Sequence, residues 1–305
     1  MMDLATLVRY SYRRSPFYRR QFASLDRVVV SDATHIPPFR LPDVAAPTAG
    51  DPLQGRQTHQ PVVIYQLEYE VPVFQGFSHD DLKAYAGVLS DAWHQAGVRA
   101  GDRVAIYDYG SSPITYLSSR AICPHLQQGA ADRMGAVVIC NDGLPELVER
   151  WWHLLTYFQP QILFIRCDSM GPFVGLLTRW GGWPAPPPRQ VVVSGNEEWP
   201  AAREIDGWER ALGVAVRRLV RADLAMWLAL ECPAGRVHVD SERYLIEVVD
   251  AQSQMGLPAG EEGVLTITCL FARTAPSIRY ISTISGRLCL EACPCGEADP
   301  SITLE

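Results

Sequence analysis

Short apolar runs alternate with helical segments through the middle of this chain, and that alternation leaves few folds open. Residues 62–65 (VVIY), 104–107 (VAIY), 136–140 (AVVIC), 161–165 (QILFI) and 190–193 (QVVV) have strand length and almost no polar positions. Such continuous runs belong to strands covered on both faces, as in parallel sheets flanked by helices. Residues 78–95 read as a helix, with Ser78 as N-cap, Asp80 and Asp81 in the first turn and Gly97 just past the end. Residues 145–158 read as another. The pattern predicts a parallel α/β core. Residues 3–23 read as a helix interrupted and restarted at Ser15-Pro16. Residues 31–60, with Pro37, Pro38, Pro42, Pro47 and Pro52, read as an irregular connection. Beyond residue 235 short runs at 244–249 and 264–268 lie between Gly/Pro turns, which predicts an antiparallel β subdomain. The expected division is residues 1–230 for the α/β core and 231–305 for the β subdomain.

Charge narrows the function classes. The formal net charge is −7, whereas nucleic-acid proteins and proteins held on anionic lipid need a basic surface. Arg9, Arg13, Arg14, Arg19 and Arg20 interrupt the N-terminus, so no signal peptide is expected. No apolar run has the length of a membrane span. A cytoplasmic protein is therefore expected, with its eight cysteines as thiols or metal ligands and not disulfides. Cys123, Cys140, Cys167 and Cys269 lie in or near apolar stretches and are expected in the core.

Several segments, taken in order, carry a family resemblance. They are residues 15–19 (SPFYR), 77–104 (FSHDDLKAYAGVLSDAWHQAGVRAGDRV), 133–139 (RMGAVVI) and 158–165 (FQPQILFI). They continue with 194–199 (SGNEEW), 257–268 (LPAGEEGVLTIT), 278–280 (IRY) and 293–296 (CPCG). Together they resemble the phenylacetate–CoA ligase branch of the adenylate-forming enzymes. The resemblance implies an adenylate-forming N-terminal domain, α/β with mixed and parallel sheets and helices, plus a small C-terminal β subdomain with a zinc site.

The same resemblance marks departures. Working members hold ATP phosphates in a Ser/Thr/Gly-rich loop ending in Gly-Lys-Pro, where backbone N–H groups and the lysine meet the anion. Here the matching stretch is 66–72 (QLEYEVP), with Val71 at the lysine position, Glu68 and Glu70 beside it, and no glycine before Gly76. These glutamates read first as a solvated loop edge, with a role holding a Mg²⁺ as the alternative. The family's Gly-x-Glu near adenine survives as Gly195-Asn196-Glu197, which also suits a plain strand-to-helix turn. Its Tyr-Gly-Ser/Thr-Glu motif falls near residues 218–223, where only Asp223 could replace the glutamate and Arg218 and Arg221 read as surface charges. Its ribose-binding Asp falls on or near Ile284, which accepts no hydrogen bond. The family's C-terminal lid would follow Gly296 and finds no counterpart in the sequence. ATP and Mg²⁺ are therefore expected not to be used.

Cys232, His238, Cys293 and Cys295 offer soft thiolates and an imidazole, a tetrahedral zinc set. Some relatives carry structural zinc at the matching positions. A group of reduced, half-buried thiols is the other reading, and Cys289 is a substitute ligand. Residues 108–112 (DYGSS) follow a strand, where α/β proteins place ligand contacts. In the family this region borders the acyl pocket, so Tyr107, Tyr109, Tyr116 and His125 are ligand-pocket candidates, beside Gly195, Asn196, Glu197 and Asp223. Of Trp151 and Trp152, one is expected to face the core. The expected function is a non-adenylating relative that binds a small aryl or acyl ligand, CoA- or carrier-linked or free, or a protein partner, in a biosynthetic, secondary-metabolite pathway. A homodimer is compatible. The alternatives are an ATP-independent enzyme using the former acyl pocket, and an active acyl- or aryl-CoA ligase.

Overall fold

The computed structural model describes residues 2–23 and 33–304. Residues 31 and 32 of the expected irregular connection lie outside the described residues. By contacts the chain forms two compact units: Met1–Ala84, Ala222–Trp227 and Cys232–Glu305 make the first, and Tyr85–Arg221 with Leu228–Glu231 the second.

The first unit opens with α1 (Leu4–Arg14) and α2 (Pro16–Gln21). Asp3 caps α1 by accepting from the Thr6 N–H at 2.7 Å. Ser15 ends α1 and caps α2, its Oγ accepting from the Tyr18 N–H at 3.1 Å, with Pro16 pre-set for the first turn. The restart at Ser15-Pro16 is thus as the sequence suggests. Strand β1 (Phe39–Arg40) is followed by the antiparallel hairpin β2 (Val63–Gln66) and β3 (Phe74–Phe77). β2 alternates half-buried and exposed positions, so it is not the buried strand its apolar sequence suggests. A two-stranded hairpin leaves one face open. Helix α3 (His79–Gln95) then begins on a reciprocal cap. Asp81 Oδ2 accepts from the Ser78 N–H at 2.9 Å, and Ser78 Oγ accepts from the Asp81 N–H at 3.2 Å.

The second unit is built on β4 (Arg103–Tyr107), α4 (Pro113–Tyr116), α5 (Ala130–Met134), β5 (Val137–Asn141) and α6 (Val148–Phe158). It continues through β6 (Ile162–Arg166), α7 (Cys167–Trp180), β7 (Gln190–Asn196), α8 (Ala202–Leu212), β8 (Ala215–Ala222) and β9 (Trp227–Leu230). The sheet order is β5-β4-β6-β7-β8-β9, parallel from β5 to β8. Chain order reverses at β4, which makes this a doubly wound sheet with its ligand crevice at the carboxyl ends of β4 and β6. Trp151 and Trp152 are both 1% exposed, not one in and one out. Adjacent residues lie about 100° apart on a helix, and α6 presents an apolar face wide enough for both. Trp151 stacks on Tyr107 at 4.5 Å, and Trp152 packs on Phe173 at 5.2 Å and Trp183 at 6.3 Å.

The chain re-enters the first unit with β10 (Val237–His238), β11 (Tyr244–Val249), β12 (Glu262–Cys269), β13 (Tyr280–Cys289) and β14 (Ser301–Leu304). They form the sheet β10-β14-β13-β12-β11, antiparallel throughout, as the short strands and Gly/Pro turns suggest. β1 pairs in parallel with β13 across more than two hundred intervening residues, Phe39 beside Tyr280. Among the described residues no helix is long and apolar enough to cross a membrane.

Candidate functional site

The connection between β2 and β3 occupies the place of the expected phosphate loop. It closes on itself: the Leu67 N–H donates to the Val73 carbonyl at 2.8 Å, and the Tyr69 N–H to the Leu67 carbonyl at 3.0 Å. Leu67 and Val73 are buried anchors, whereas Glu70, Val71 and Pro72 are exposed and Glu68 is half-buried. Arg56, fully buried, donates to Gln75 Oε1 at 3.0 Å and to the Phe74 carbonyl at 2.5 Å. Burial pulls its pKa down to about 10, opposed by the nearby Tyr18 and Tyr69. The loop is thus braced by side chains and its tip carries carboxylate charge. Ile284 is fully buried within β13, and Arg279 is held by Glu247 at 3.0 Å and by the Ile36 carbonyl at 2.5 Å.

In the second unit a charged network fills the carboxyl ends of the strands. Asp108, directly after β4, is 2% exposed. Its Oδ1 accepts from the Tyr109 N–H at 2.8 Å, and its Oδ2 from Ser112 Oγ at 2.9 Å and Ser194 Oγ at 3.4 Å. Arg166 at the end of β6 lies 3.4 Å from Oδ1, and Arg221 from β8 lies 3.6 Å from Oδ2. Arg221 also donates to Ser112 Oγ, and its side chain is fully buried. Arg218 is paired with Glu231, both side chains little exposed. Neither arginine is the surface charge its sequence context suggests. A carboxylate partner takes each inside, which sequence distance conceals.

A cavity of about 230 Å³ opens beside this network, lined by residues of β4, β5, α6 and the adjoining loops. Of the candidates, Tyr107 lines it, and its hydroxyl donates to the Leu144 carbonyl at 2.5 Å. Burial first, then the charges of Glu146, Asp168 and Asp142, push that phenol up to about 12. Tyr109 lies under the Arg166 guanidinium at 3.8 Å. Tyr116 is buried on α4, while His125 is exposed and outside the cavity lining. Gly195 ends β7 so tightly that a Cβ would lie 2.6 Å from the Glu198 carbonyl. Asn196 is half-buried, and Glu197 has a left-handed backbone (φ 54°) with its N–H on the Arg221 carbonyl at 2.8 Å. Asp223 is buried in the first unit, at the start of its 222–227 segment. Asp108 and Arg166 were not singled out from sequence; the strand-end position of Asp108 was the one available signal.

The first unit brings Cys232, His238, Cys293 and Cys295 together, their ligand atoms all within 4.8 Å of one another. Cys232 Sγ lies 3.7 Å from Cys293 Sγ, and His238 Nε2 lies 3.1 Å from Cys295 Sγ. A tetrahedron of about 2.3 Å metal–sulfur bonds has sulfur–sulfur edges of about 3.8 Å, so the donor set fits a metal. His238 Nδ1 faces the Asp299 carbonyl at 3.3 Å, the contact that orients a ligating imidazole through its other nitrogen. Two matching turns supply the thiols, Cys232-Pro233-Ala234-Gly235 and Cys293-Pro294-Cys295-Gly296. In each the glycine N–H donates to the first cysteine carbonyl, at 2.9 and 3.0 Å, and the glycine is left-handed, φ 73° and 94°. Cys289 stands apart, against Thr303 Oγ1 at 3.6 Å.

No protein-family model matches the chain. Its fold is that of adenylate-forming ligases. A 2-hydroxyisobutyryl-CoA ligase solved with 2-HIB-AMP and CoA superposes with a TM-score of 0.81 at 18% identity, covering 98% of this chain and 66% of that one. An anthranilate-CoA ligase in complex with anthranoyl-AMP gives a TM-score of 0.51 at 15% identity over 79% of this chain and 46% of that one. In sequence, the phenylacetate-coenzyme A ligase of Thermus thermophilus is 26% identical over 96% of this chain and 66% of its own length. That of Pseudomonas putida is 26% identical over 68% and 46%. The chain is thus similar in sequence to phenylacetate–CoA ligases and in fold to adenylate-forming CoA ligases. It spans 46% to 66% of the length of these curated relatives.

Proposed function

We propose that this chain is a phenylacetate–CoA ligase-like protein that binds a small aryl or acyl compound, free or linked to CoA or a carrier, and does not adenylate it. The β2–β3 connection carries the reading. Val71 stands where the family resemblance places the lysine, Glu68 and Glu70 lie beside it in place of glycine and hydroxyl donors, and the described residues of the tip offer no cation in exchange. A carboxylate about 4 Å from a phosphate oxygen costs on the order of 4 kcal/mol at an effective dielectric near 20. Ile284 in place of a ribose acceptor, and Arg221 buried in the degraded Tyr-Gly stretch, support the same conclusion. The ligands named for the structural neighbours, 2-HIB-AMP and anthranoyl-AMP, support a small acyl or aryl compound. ATP–pyrophosphate exchange with Mg²⁺ and a panel of aryl and short acyl acids is expected to stay at background. Clear exchange would overturn the proposal in favour of an active ligase, the activity named for the relatives.

On the same reading Cys232, His238, Cys293 and Cys295 hold a structural Zn²⁺ that ties the 232–238 segment to the 293–295 turn. Four protein ligands leave no open position, so the ion supplies folding energy and no chemistry. Metal analysis is expected to find one Zn²⁺ per chain, with a lower melting temperature after chelation. A zinc content far below one per chain, with melting unaffected by chelator, would remove this assignment.

A further inference from the structure

We infer that β5 is a dimerisation edge, pairing antiparallel with β5 of a second copy of this chain about a two-fold axis through Val138. β5 is the last strand of its sheet and is bonded to β4 on one side only. The ladder fixes which groups face out. The Val137 N–H donates to the Asp102 carbonyl at 2.8 Å, and the Asn141 carbonyl accepts from the Asp108 N–H at 3.3 Å, both toward β4. Backbone direction alternates along a strand, so Val137, Ile139 and Asn141 turn inward and Ala136, Val138 and Cys140 turn outward. The Ala136 N–H is taken by the Ala131 carbonyl at 3.0 Å. Among the described residues, Val138 and Cys140 make no backbone hydrogen bond beyond the β4 ladder. Natural sheets blunt such edges with charge, proline, a bulge or a cover. Residues 136–141 (AVVICN) carry no charge and no proline, the β4–β5 register runs without a shift, and Val137 is 55% exposed. The apolar surface continues onto α6. Leu147, exposed, shares a cavity lining with Cys140 and Asn141, and Leu154 and Tyr157 follow it on the same side at helical spacing. Tyr157 is 86% exposed near the start of β5: the Arg103 guanidinium donates to the Gln159 carbonyl at 2.8 Å, and Arg103 pairs with Val137.

A second copy is the occupant because the edge is complementary to itself. With Val138 on the axis, the two Val138 residues exchange both backbone hydrogen bonds, and each Cys140 N–H donates to the Ala136 carbonyl of the other copy. No outward donor of the strand is left over, although the Ala136 N–H is already spent. On the α6 face Val137 comes opposite Ile139 of the second copy, a β-branched pair of the kind that stabilises a sheet. Arg133, exposed before the strand, comes beside Asp142 of the second copy, exposed after it. Asp132 is turned back, accepting from the Arg120 and Gly129 N–H groups at 2.9 and 2.7 Å, and does not oppose this. A parallel pairing would set like ends side by side. The antiparallel two-fold is the isologous arrangement of most homodimers, and it joins two doubly wound sheets into one.

Sedimentation equilibrium of the full chain at tens of micromolar is expected to show a dimer. Val137→Lys places a charge on the exposed edge and is expected to weaken association about tenfold or more, with the circular dichroism spectrum unchanged. Amide hydrogen exchange reads the pairing itself. The Val138 and Cys140 amides are expected to be protected in the dimer and to exchange freely in Val137→Lys, while the Val137 and Ile139 amides, bonded to β4, stay protected in both. The inference is overturned by a monomer at these concentrations, by a dimer that Val137→Lys leaves intact, or by Val138 and Cys140 amides that exchange as fast in the parent as in the variant. ATP–pyrophosphate exchange plays no part in these readouts, so the proposed function stands or falls separately.

Discussion

Replacing Asp108 with asparagine removes one negative charge from a place where two arginines depend on it. The carboxylate is 2% exposed and the Arg221 side chain fully buried, 3.6 Å away. Arg166, 3.4 Å from the other oxygen, is 14% exposed. Breaking a buried pair by removing one partner costs about 3–5 kcal/mol, because the remaining charge is left without compensation. Asparagine keeps one oxygen for the Tyr109 N–H but turns an NH₂ toward a guanidinium, so the lower end of that range, about 3 kcal/mol, is expected. In a unit of this size that corresponds to a melting shift of roughly 6–12 °C. Urea unfolding followed by tryptophan fluorescence measures it, since Trp151 and Trp152 report on the second unit's core. Arg221→Met should cost less, because Asp108 retains Arg166, two serines and a backbone donor. The double variant should then be milder than the sum of the singles by more than about 1 kcal/mol, the mark of direct coupling. An Asp108→Asn variant within about 0.5 kcal/mol of the parent, or strict additivity, would refute the reasoning.

Three further outcomes are expected. The hydrogen bond from Arg189 to Asp102, aided by the Arg99 N–H, holds the Asp102 carboxyl below its ordinary value against the effect of burial. Its contribution is therefore present above the unfolded carboxyl's pKa near 4 and fades as pH falls through the lower folded value, so Asp102→Asn should lower stability at pH 7 and converge on the parent in acid. Burial pushes the Cys140 thiol from near 9 to about 11, with Ser118 partly offsetting it. Alkylation of Cys140 at pH 8 should run about a hundredfold slower than for an exposed thiol until urea unfolds the unit, as mass spectrometry of the labelled peptide would show. Gly195→Ala drives a methyl to 2.6 Å from the Glu198 carbonyl and should destabilise by about 1–3 kcal/mol in the same urea assay.

The parallel strands were legible because burial on both faces leaves a signature in one dimension: VAIY, ILFI and VVV can hardly be anything else. Helix α7 was not, since Gly171, Pro172 and Gly175 dilute its apolar spacing, and its start directly after β6 leaves no loop to read. Strand β8 hid behind Arg217, Arg218 and Arg221, which look like a solvated stretch. Arg217 donates to the Glu231 carbonyl, whereas Arg218 and Arg221 are paired with the Glu231 and Asp108 carboxylates. β1 was invisible for the same reason, two residues long and paired only with distant β13. The Cys232, His238, Cys293 and Cys295 cluster was readable by residue type. The doubling of its Cys-Pro-x-Gly turns was readable too, but its meaning needed the left-handed glycines.

Arg221 decides how the doubly wound sheet can be used. The crevice beyond the carboxyl strand ends is where such sheets take ligands. Here β8 delivers a buried guanidinium into it, tied to Asp108 and Ser112. A ligand needing that space would have to displace a buried cation and strand Asp108, at a cost of several kcal/mol. The open volume keeps Asp108 as one wall but draws the others from β5 and α6. Relative to the family pattern, positive charge has been gained in the crevice and negative charge on the β2–β3 loop. On the proposed reading, a triphosphate would be repelled by the second change and not helped by the first, because Arg221 is already paired with Asp108.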